Sequence, residues 1–208
     1  MTPLVRAWLT GPTYEVLVEP FCGGGSVGLC AAIEGLVTKV VMVEIDPDVA
    51  AVWKVLAGVG AEQLAAKILE FPVTRETVAE AVRREPRDLV EHAFQTILRN
   101  RTQGGGVMAR RAGLINRGER NRGVSSRGYP ATLAQRIRTI DRIRGRITFI
   151  EGDGLAETAR RLGRKDTDIF LDPPYVSGEA AGRRLYTHHD VDPNQVLRSQ
   201  PKRKARRR

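Results

Sequence analysis

Residues 16–28 read VLVEPFCGGGSVG, a short apolar run followed by a loop that is rich in glycine. The run Val16-Leu17-Val18 has the length and β-branched content of a buried strand, and an apolar helical stretch follows the loop. Gly23, Gly25 and Gly28 have the spacing G-x-G-x-x-G, in which glycines permit a tight turn and close approach of a ligand to the backbone and the helix N-terminus. Strand, glycine loop and helix in this order predict the first unit of an α/β fold with a parallel sheet.

A second apolar run, Val40-Val41-Met42-Val43, predicts the next strand and ends at Glu44. In units of this kind, an acidic side chain about 20 residues after the glycine loop binds ribose hydroxyls. No Gly-Lys-Ser/Thr sequence follows the glycines, so the loop is not a phosphate-binding P-loop. The pattern therefore predicts a ligand that contains a nucleoside and is not held by a phosphate.

A second motif, Asp172-Pro173-Pro174-Tyr175, follows the apolar run Ile169-Phe170-Leu171. Two consecutive prolines fix φ at about −65° and remove two backbone donors, which predicts a stiff, extended loop. Asp172 and the Pro173 carbonyl would accept the two hydrogens of an exocyclic amine, and Tyr175 would stack on a base that has been taken out of the duplex. The alternative is a turn that only ends a strand.

Basic charge is concentrated in two segments. Residues 99–146 contain 13 arginines, no lysine and two acids, for a net charge of +11, and residues 198–208 carry +7. Since the whole chain carries +10, the rest of it carries −8. Two basic segments on an acidic body predict phosphate contacts, and arginine suits the bidentate binding of phosphate and guanine. The alternative for the first segment is a flexible, solvated loop.

Together these motifs resemble the Dam-type (class alpha) adenine-specific DNA methyltransferases. The resemblance is carried by Glu19-Pro20-Phe21 with the triple glycine, by Glu44-Ile45-Asp46 and by the Asp-Pro-Pro-Tyr sequence, in the family's order, and it covers residues 16–189. It implies a Rossmann-like sheet, S-adenosylmethionine as the cofactor, and methyl transfer to the exocyclic amine of adenine in double-stranded DNA with base flipping. It leaves open a restriction endonuclease as a further partner.

The resemblance also implies roles for single residues of this chain. Glu44 matches the residue at the cofactor ribose, and Asp153 resembles the residue beside the cofactor adenine, although it is equally an ordinary aspartate after a strand. The predicted residues are, for catalysis, Asp172, Pro173, Pro174 and Tyr175; for the cofactor, Glu19, Pro20, Phe21, Gly23, Gly25, Glu44, Ile45 and Asp153; and for DNA, Asn100, Arg101, Arg110, Arg111, Arg117, Arg120, Arg122 and Arg127.

Four regions are predicted along the chain. They are a cofactor-binding half at 1–94, an arginine- and glycine-rich DNA-recognition insert at 95–130, a catalytic half at 131–192 and a basic tail at 193–208. Helices are expected at 47–56, 61–69, 75–84, 88–98 and 131–143. No stretch approaches the roughly 18 apolar residues of a membrane span, and no signal pattern is present, which predicts a cytoplasmic protein without a membrane partner. The cysteines and histidines lack ligand spacing, so no metal is predicted.

Two departures from the family bear on activity. The segment WLTGP at residues 8–12 has no lysine where members of the family carry one, and only 33 residues follow Tyr175. We therefore expect a sheet that is incomplete at its C-terminal end. The alternative function is a truncated, inactive methyltransferase remnant that binds DNA or needs a partner chain. Methylation of the cytosine amine or of RNA is a third reading.

Overall fold

The structure is a computed structural model that describes residues 3–10, 14–104, 113–118 and 121–172. Over these residues the chain is a mixed α/β protein built on one parallel sheet. The strands are β1 Val16–Glu19, β2 Lys39–Glu44, β3 Ile147–Glu151 and β4 Thr167–Ile169, in the order β3-β2-β1-β4. The predicted basic tail and the end of the predicted catalytic half, residues 173–208, lie outside the described residues, and so does the expected incompleteness of the sheet.

The register places the glycine-loop strand in the middle of the sheet. Val18 of β1 is opposite Val41 of β2 on one side and Ile169 of β4 on the other. The buried runs in β1 and β2 are continuous, as expected for a parallel sheet covered on both faces. The apolar runs therefore predicted these two strands, and the strand order shows that both are central.

Eight α-helices are described. They are α1 Pro3–Thr10, α2 Ser26–Glu34, α3 Pro47–Ala57, α4 Ala61–Glu70, α5 Arg75–Arg83, α6 Leu89–Thr102, α7 Pro130–Ile143 and α8 Gly154–Arg161. Local sequence explains where several begin, because Asp46, Thr74 and Asp88 accept hydrogen bonds from the first turns of α3, α5 and α6. Within the described ranges no single helix has the length and apolar character to cross a membrane, and α3 with α4 meets that test only as a pair bent by 113°.

Side chains that alternate along the strands separate two apolar clusters. Leu17, Val40 and Met42 point to the face where α2, α3, α4, α6 and α7 contribute most of the core. Val18, Val41 and Val43 form a smaller cluster on the other face. This alternation is the two-residue period of a strand. On α7, Ile137 and Ile140 are buried in the larger cluster, and Leu133 and Ile143 pack against that cluster.

Helix α6 extends into the predicted insert. Residues 95–102 are helical and continue α6, and Gln95 and Leu98 are buried in the body of the protein. The predicted boundary at residue 95 therefore falls within a helix, and the role of the insert stays a prediction. Two backbone hydrogen bonds join the end of α6 to residues 113–115, since Gly104 N–H donates to Gly113 O at 3.0 Å and Ile115 N–H donates to Thr102 O at 2.8 Å.

Candidate active site

One edge of the sheet carries four of the predicted acidic site residues. Parallel strands end at the same edge, and an acidic residue stands at or just after each carboxyl end. In spatial order along that edge they are Asp153 after β3, Glu44 at the end of β2, Glu19 at the end of β1 and Asp172 after β4. The structure thus brings together residues that are up to 153 positions apart in the sequence.

Asp172 lies beside the glycine-loop strand. The pairing of β4 with β1 extends beyond the strand itself, because Phe170 N–H donates to Val18 O at 2.8 Å. Asp172 follows two residues later and is exposed, and its charge acts on the Glu19 carboxyl. Pro173, Pro174 and Tyr175 lie outside the described residues.

Glu19 is a buried carboxyl group in this site. Only 4% of the residue is exposed, and its Oε2 accepts a hydrogen bond from Gly28 N–H at 2.8 Å. Burial raises the pKa of Glu19 from its ordinary 4.5 to about 7, against the effect of the N–H groups of Gly28 and Val27, and the nearby Asp172 raises it further. A large fraction of Glu19 is therefore neutral near pH 7.

We expect Glu19→Gln to remove a pH dependence from the stability of the fold. Between the unfolded pKa of about 4.5 and the folded pKa of about 7, the native state binds more protons, so wild-type stability falls as pH rises through that window. The full difference is about 3 kcal/mol, from roughly 2.5 pKa units. Urea unfolding from pH 5 to pH 8 should show the variant gaining on the wild type by about this amount. The control is Glu15→Gln, at the exposed residue before β1, whose free energy of unfolding should change with pH as that of the wild type does. If the free energy of unfolding of Glu19→Gln also changes with pH as in the wild type, the prediction is contradicted.

The glycine loop has one packed side and one open side. A Cβ at Gly25 would lie within 3.0 Å of the side chains of Met42 and Trp53, and φ there is +64°. A Cβ at Gly28 would lie 2.7 Å from Glu19 Oε2. Among the described residues, by contrast, no atom would lie within 4 Å of a Cβ at Gly23 or Gly24. The open side of the loop therefore has room for a ligand close to the backbone.

Trp53 fixes the open part of this loop. Its ring is buried, and its Nε1–H donates to Gly23 O at 2.7 Å. The ring also stacks with Phe149 of β3, with ring centroids 6.5 Å apart. Sequence reasoning did not predict this hydrogen bond to the loop.

Glu44 binds the loop from the neighbouring strand. Its Oε2 accepts from Gly23 N–H at 2.9 Å, and its Oε1 accepts from the N–H groups of Ile45 at 2.9 Å and Asp46 at 3.0 Å. These bonds use three of the roughly four acceptor sites of a carboxylate, which leaves about one for a ligand hydroxyl. Ile45, the apolar residue next to it, is 48% exposed at the same edge.

The start of α8 lies against the residues that follow β1. Asp153 immediately precedes α8, and Pro20 and Phe21 immediately follow β1. Asp153 is exposed, and its Oδ1 accepts from Leu155 N–H at 2.9 Å, so it has the capping role of an ordinary aspartate before a helix. Pro20 is buried with its carbonyl against Gly154, and Phe21 is half-buried beside it. A cofactor contact of Asp153 stays a prediction.

Helix α1 packs against Phe170, two residues before Asp172, and sequence reasoning did not predict this helix. Trp8 lies against Phe170 with ring centroids 6.2 Å apart, and Leu9 is buried. The Arg6 guanidinium is bound to Glu34 of α2 at 2.6 Å. The apolar spacing of Val5, Trp8 and Leu9 is a helical signal that would have found this helix.

The predicted DNA-binding residues fall on several elements. Asn100 and Arg101 lie in the last turn of α6, Arg117 and Arg122 are exposed, and Arg127 is half-buried at the end of a 3₁₀ turn, Gly123–Arg127. The Arg122 guanidinium lies 5.7 Å from the centroid of the Tyr129 ring. Residues Arg110, Arg111 and Arg120 lie outside the described part of the chain.

An ion-pair network ties the end of α6 to the acidic edge. Asp48, in the first turn of α3, accepts from Arg99 at 2.9 Å through Oδ2 and contacts His92 Nε2 at 2.6 Å through Oδ1. Asp48 is four residues after Glu44, so the basic segment begins next to the predicted cofactor residues. No local pattern could have revealed this network, because Arg99 and Asp48 are 51 residues apart.

No protein-family model matches this chain, and no curated protein matches it either. Within residues 3–10, 14–104, 113–118 and 121–172, no group of three or more His, Cys, Asp or Glu side chains is placed to hold a metal ion. Burial raises the pKa of the Cys22 thiol, helped by Glu44, which fits a small core residue rather than a nucleophile. The groups that this site offers for chemistry are its carboxylates, the open face of its glycine loop and the nearby arginines.

Proposed function

We propose that the protein transfers a methyl group from S-adenosylmethionine to the exocyclic amine of adenine in double-stranded DNA. The observation that supports this most is the position of Asp172 beside Glu19, at the carboxyl ends of the two adjacent strands β4 and β1. After β1 the chain continues to β2, which pairs with β1 on one side, whereas β4 pairs with β1 on its other side. Ligands of open parallel sheets bind outside the carboxyl ends of the strands at such a reversal of strand order.

The charge and shape of the edge suit this cofactor. S-adenosylmethionine supplies a methyl group on a positively charged sulfur, and it also carries an ammonium group. A row of carboxylates is complementary to those charges. The open faces of Gly23 and Gly24 give room for the ligand against the backbone, and Glu44 retains about one acceptor site for a ribose hydroxyl.

Asp172 is the group that would act on the substrate amine. Its carboxylate would accept a hydrogen bond from the amine, which orients the nitrogen lone pair toward the methyl group. The Pro173 carbonyl is the predicted second acceptor. Because Glu19 has a pKa of about 7, it carries less than a full second negative charge beside Asp172 at and below neutral pH. The target base must leave the duplex to reach this group.

The DNA partner is proposed from the basic segment and its attachment. The segment begins in the last turns of α6, where Arg99 is bound to Asp48 next to the acidic edge. DNA held by this segment would therefore lie close to Asp172 rather than on a remote face. The same placement fits the second candidate, a protein that binds DNA without transferring a methyl group.

Cofactor binding separates the two candidates. By isothermal titration calorimetry, the wild type should bind S-adenosylmethionine, and Glu44→Gln should bind it about tenfold or more weakly, because hydrogen bonds to a charged group contribute about 1.5–3 kcal/mol. Glu15→Gln, at the other end of β1, is the matched control and should bind like the wild type. Wild-type protein that binds duplex DNA but not S-adenosylmethionine would instead support the inactive DNA-binding protein.

A further inference from the structure

Three arginines from three elements lie around one small cavity, because Arg101, Gly128 next to Arg127, and Leu133 about one helical turn before Arg136 all border it. Arg101 is in the last turn of α6, Arg127 ends the 3₁₀ turn, and Arg136 is in the second turn of α7. We call them the arginine cluster. Arg101 is half-buried and borders a cavity of about 30 Å³. The other residues around the cavity are mostly apolar and include Phe94, Leu98, Pro130 and Leu133.

The cluster is electrostatically unfavourable in the free protein. Burial lowers the pKa of Arg101, and the charges of Arg136 and Arg127 lower it further. Over the described residues, none of the three forms an ion pair with a carboxylate. Several neighbours do form one, since Arg99 pairs with Asp48 and Arg138 pairs with Glu62. Among the described residues, the cluster therefore carries three positive charges without a carboxylate partner, which suits a bound anion.

We propose that Arg101, Arg127 and Arg136 together bind phosphates of the DNA backbone. This deepens the proposed function and takes the DNA partner from it. It adds Arg136, which lies on α7 beyond the predicted insert, to the DNA-binding surface. Arg101 is the recessed member of the site, whereas Arg136 is exposed. Guanidinium groups suit this role because their donors match phosphate oxygens in pairs.

Two observations favour a nucleic acid over a small anion. The three arginines come from separate elements, and one of them is recessed while another is exposed, which suits a backbone with several phosphates. All three arginines also belong to the basic segment at residues 99–146, whose net charge of +11 suits a polyanion.

The salt dependence of DNA binding tests the cluster. We would measure the binding of a labelled duplex by fluorescence anisotropy without S-adenosylmethionine, between roughly 50 and 200 mM salt. The variants are Arg101→Met, which keeps an aliphatic side chain beside the cavity, Arg127→Gln and Arg136→Gln. Each should lower the slope of log K against log salt by about one unit and weaken binding to unrelated sequences alike.

Arg138→Gln is the matched control on α7. Arg138 is two residues after Arg136, but it is bound to Glu62 at 2.6 Å, so its variant should keep the wild-type slope. Arg101→Met should also melt no lower than the wild type without DNA, because it removes a repulsion. A lower melting temperature together with weaker DNA binding would show that Arg101 is structural and overturn its place in the cluster.

The remaining outcomes separate this proposal from the proposed function. Wild-type slopes in all three variants would overturn the cluster while leaving methyl transfer untouched. If the wild-type protein binds no duplex, DNA is the partner neither of the arginine cluster nor of the proposed methyl transfer. Binding to vesicles with anionic headgroups, lost in the same variants while duplex binding is kept, would overturn the assignment to DNA.

Discussion

Asp172→Asn is expected to lower the single-turnover rate of methyl transfer by roughly 10²–10³-fold, the usual effect of removing one well-placed electrostatic group from an active site. The variant keeps the size of the side chain but removes its negative charge and leaves a weaker amide oxygen as its only acceptor. Asp172 is exposed, so the fold should be unaffected. The affinity for S-adenosylmethionine should stay close to that of the wild type, because the defect lies in the acceptor for the amine. Rapid-quench measurement with the protein in excess over duplex DNA, and with saturating S-adenosylmethionine, gives the rate.

The matched control lies at the opposite end of the same strand. Asp166 precedes β4 at the amino edge of the sheet, where it is bound to Arg164 and Thr167. Asp166→Asn should transfer methyl groups at the wild-type rate. Equal rates for Asp172→Asn and the wild type would show that Asp172 is not the acceptor, even if the chain methylates DNA.

Gly154→Ala is expected to destabilise the protein by about 1–3 kcal/mol, the usual range for overpacking a filled site. A Cβ at Gly154 would lie inside 3.0 Å of the carbonyl carbon and oxygen of Pro20, both of them backbone atoms. Helix propensity predicts the opposite sign, because Gly154 begins α8 and alanine is favoured over glycine in helices by up to about 1 kcal/mol. The sign of the change therefore tests whether Pro20 and α8 are in close contact. Chemical denaturation measures it directly.

Gly152→Ala is the control two residues earlier. A Cβ at Gly152 would have its nearest neighbour, Ile150 Cγ2, at 4.0 Å, and this change should be nearly neutral. Because Pro20 begins the glycine loop, Gly154→Ala should also weaken S-adenosylmethionine binding. A Gly154→Ala protein as stable as the wild type would refute the close packing of the loop on α8.

Short-range patterns predicted most of the fold. The apolar runs around Leu17 and Val41 gave the two central strands, since buried parallel strands are continuous apolar segments. The caps at Asp46 and Thr74 mark the helix starts that the periodicity had indicated. The positions of the four acidic residues at the sheet edge also follow from these patterns, because each stands at or near the end of an apolar run. Their roles were predicted from motifs and from the family resemblance.

The features that sequence reasoning did not predict depend on contacts between residues that are far apart in the sequence. Burial of Glu19 shifts its pKa only because α2, β4 and the loop close around it. The Asp48 and Arg99 ion pair and the contact of Gly154 with Pro20 join residues 51 and 134 positions apart. Helix α6 runs past its predicted end because packing on the core, rather than its own polar last turn, stabilises it.

The most direct test of methyl transfer is the base that the protein makes. The wild-type chain is incubated with S-adenosylmethionine and unmodified duplex DNA, the DNA is digested to nucleosides, and methylated bases are quantified by mass spectrometry. We predict adenine methylated on its exocyclic amine, absent when S-adenosylmethionine is omitted. Methylated cytosine alone would assign the same chemistry to another base. No methylated base from a protein that binds both S-adenosylmethionine and DNA would contradict the proposed function.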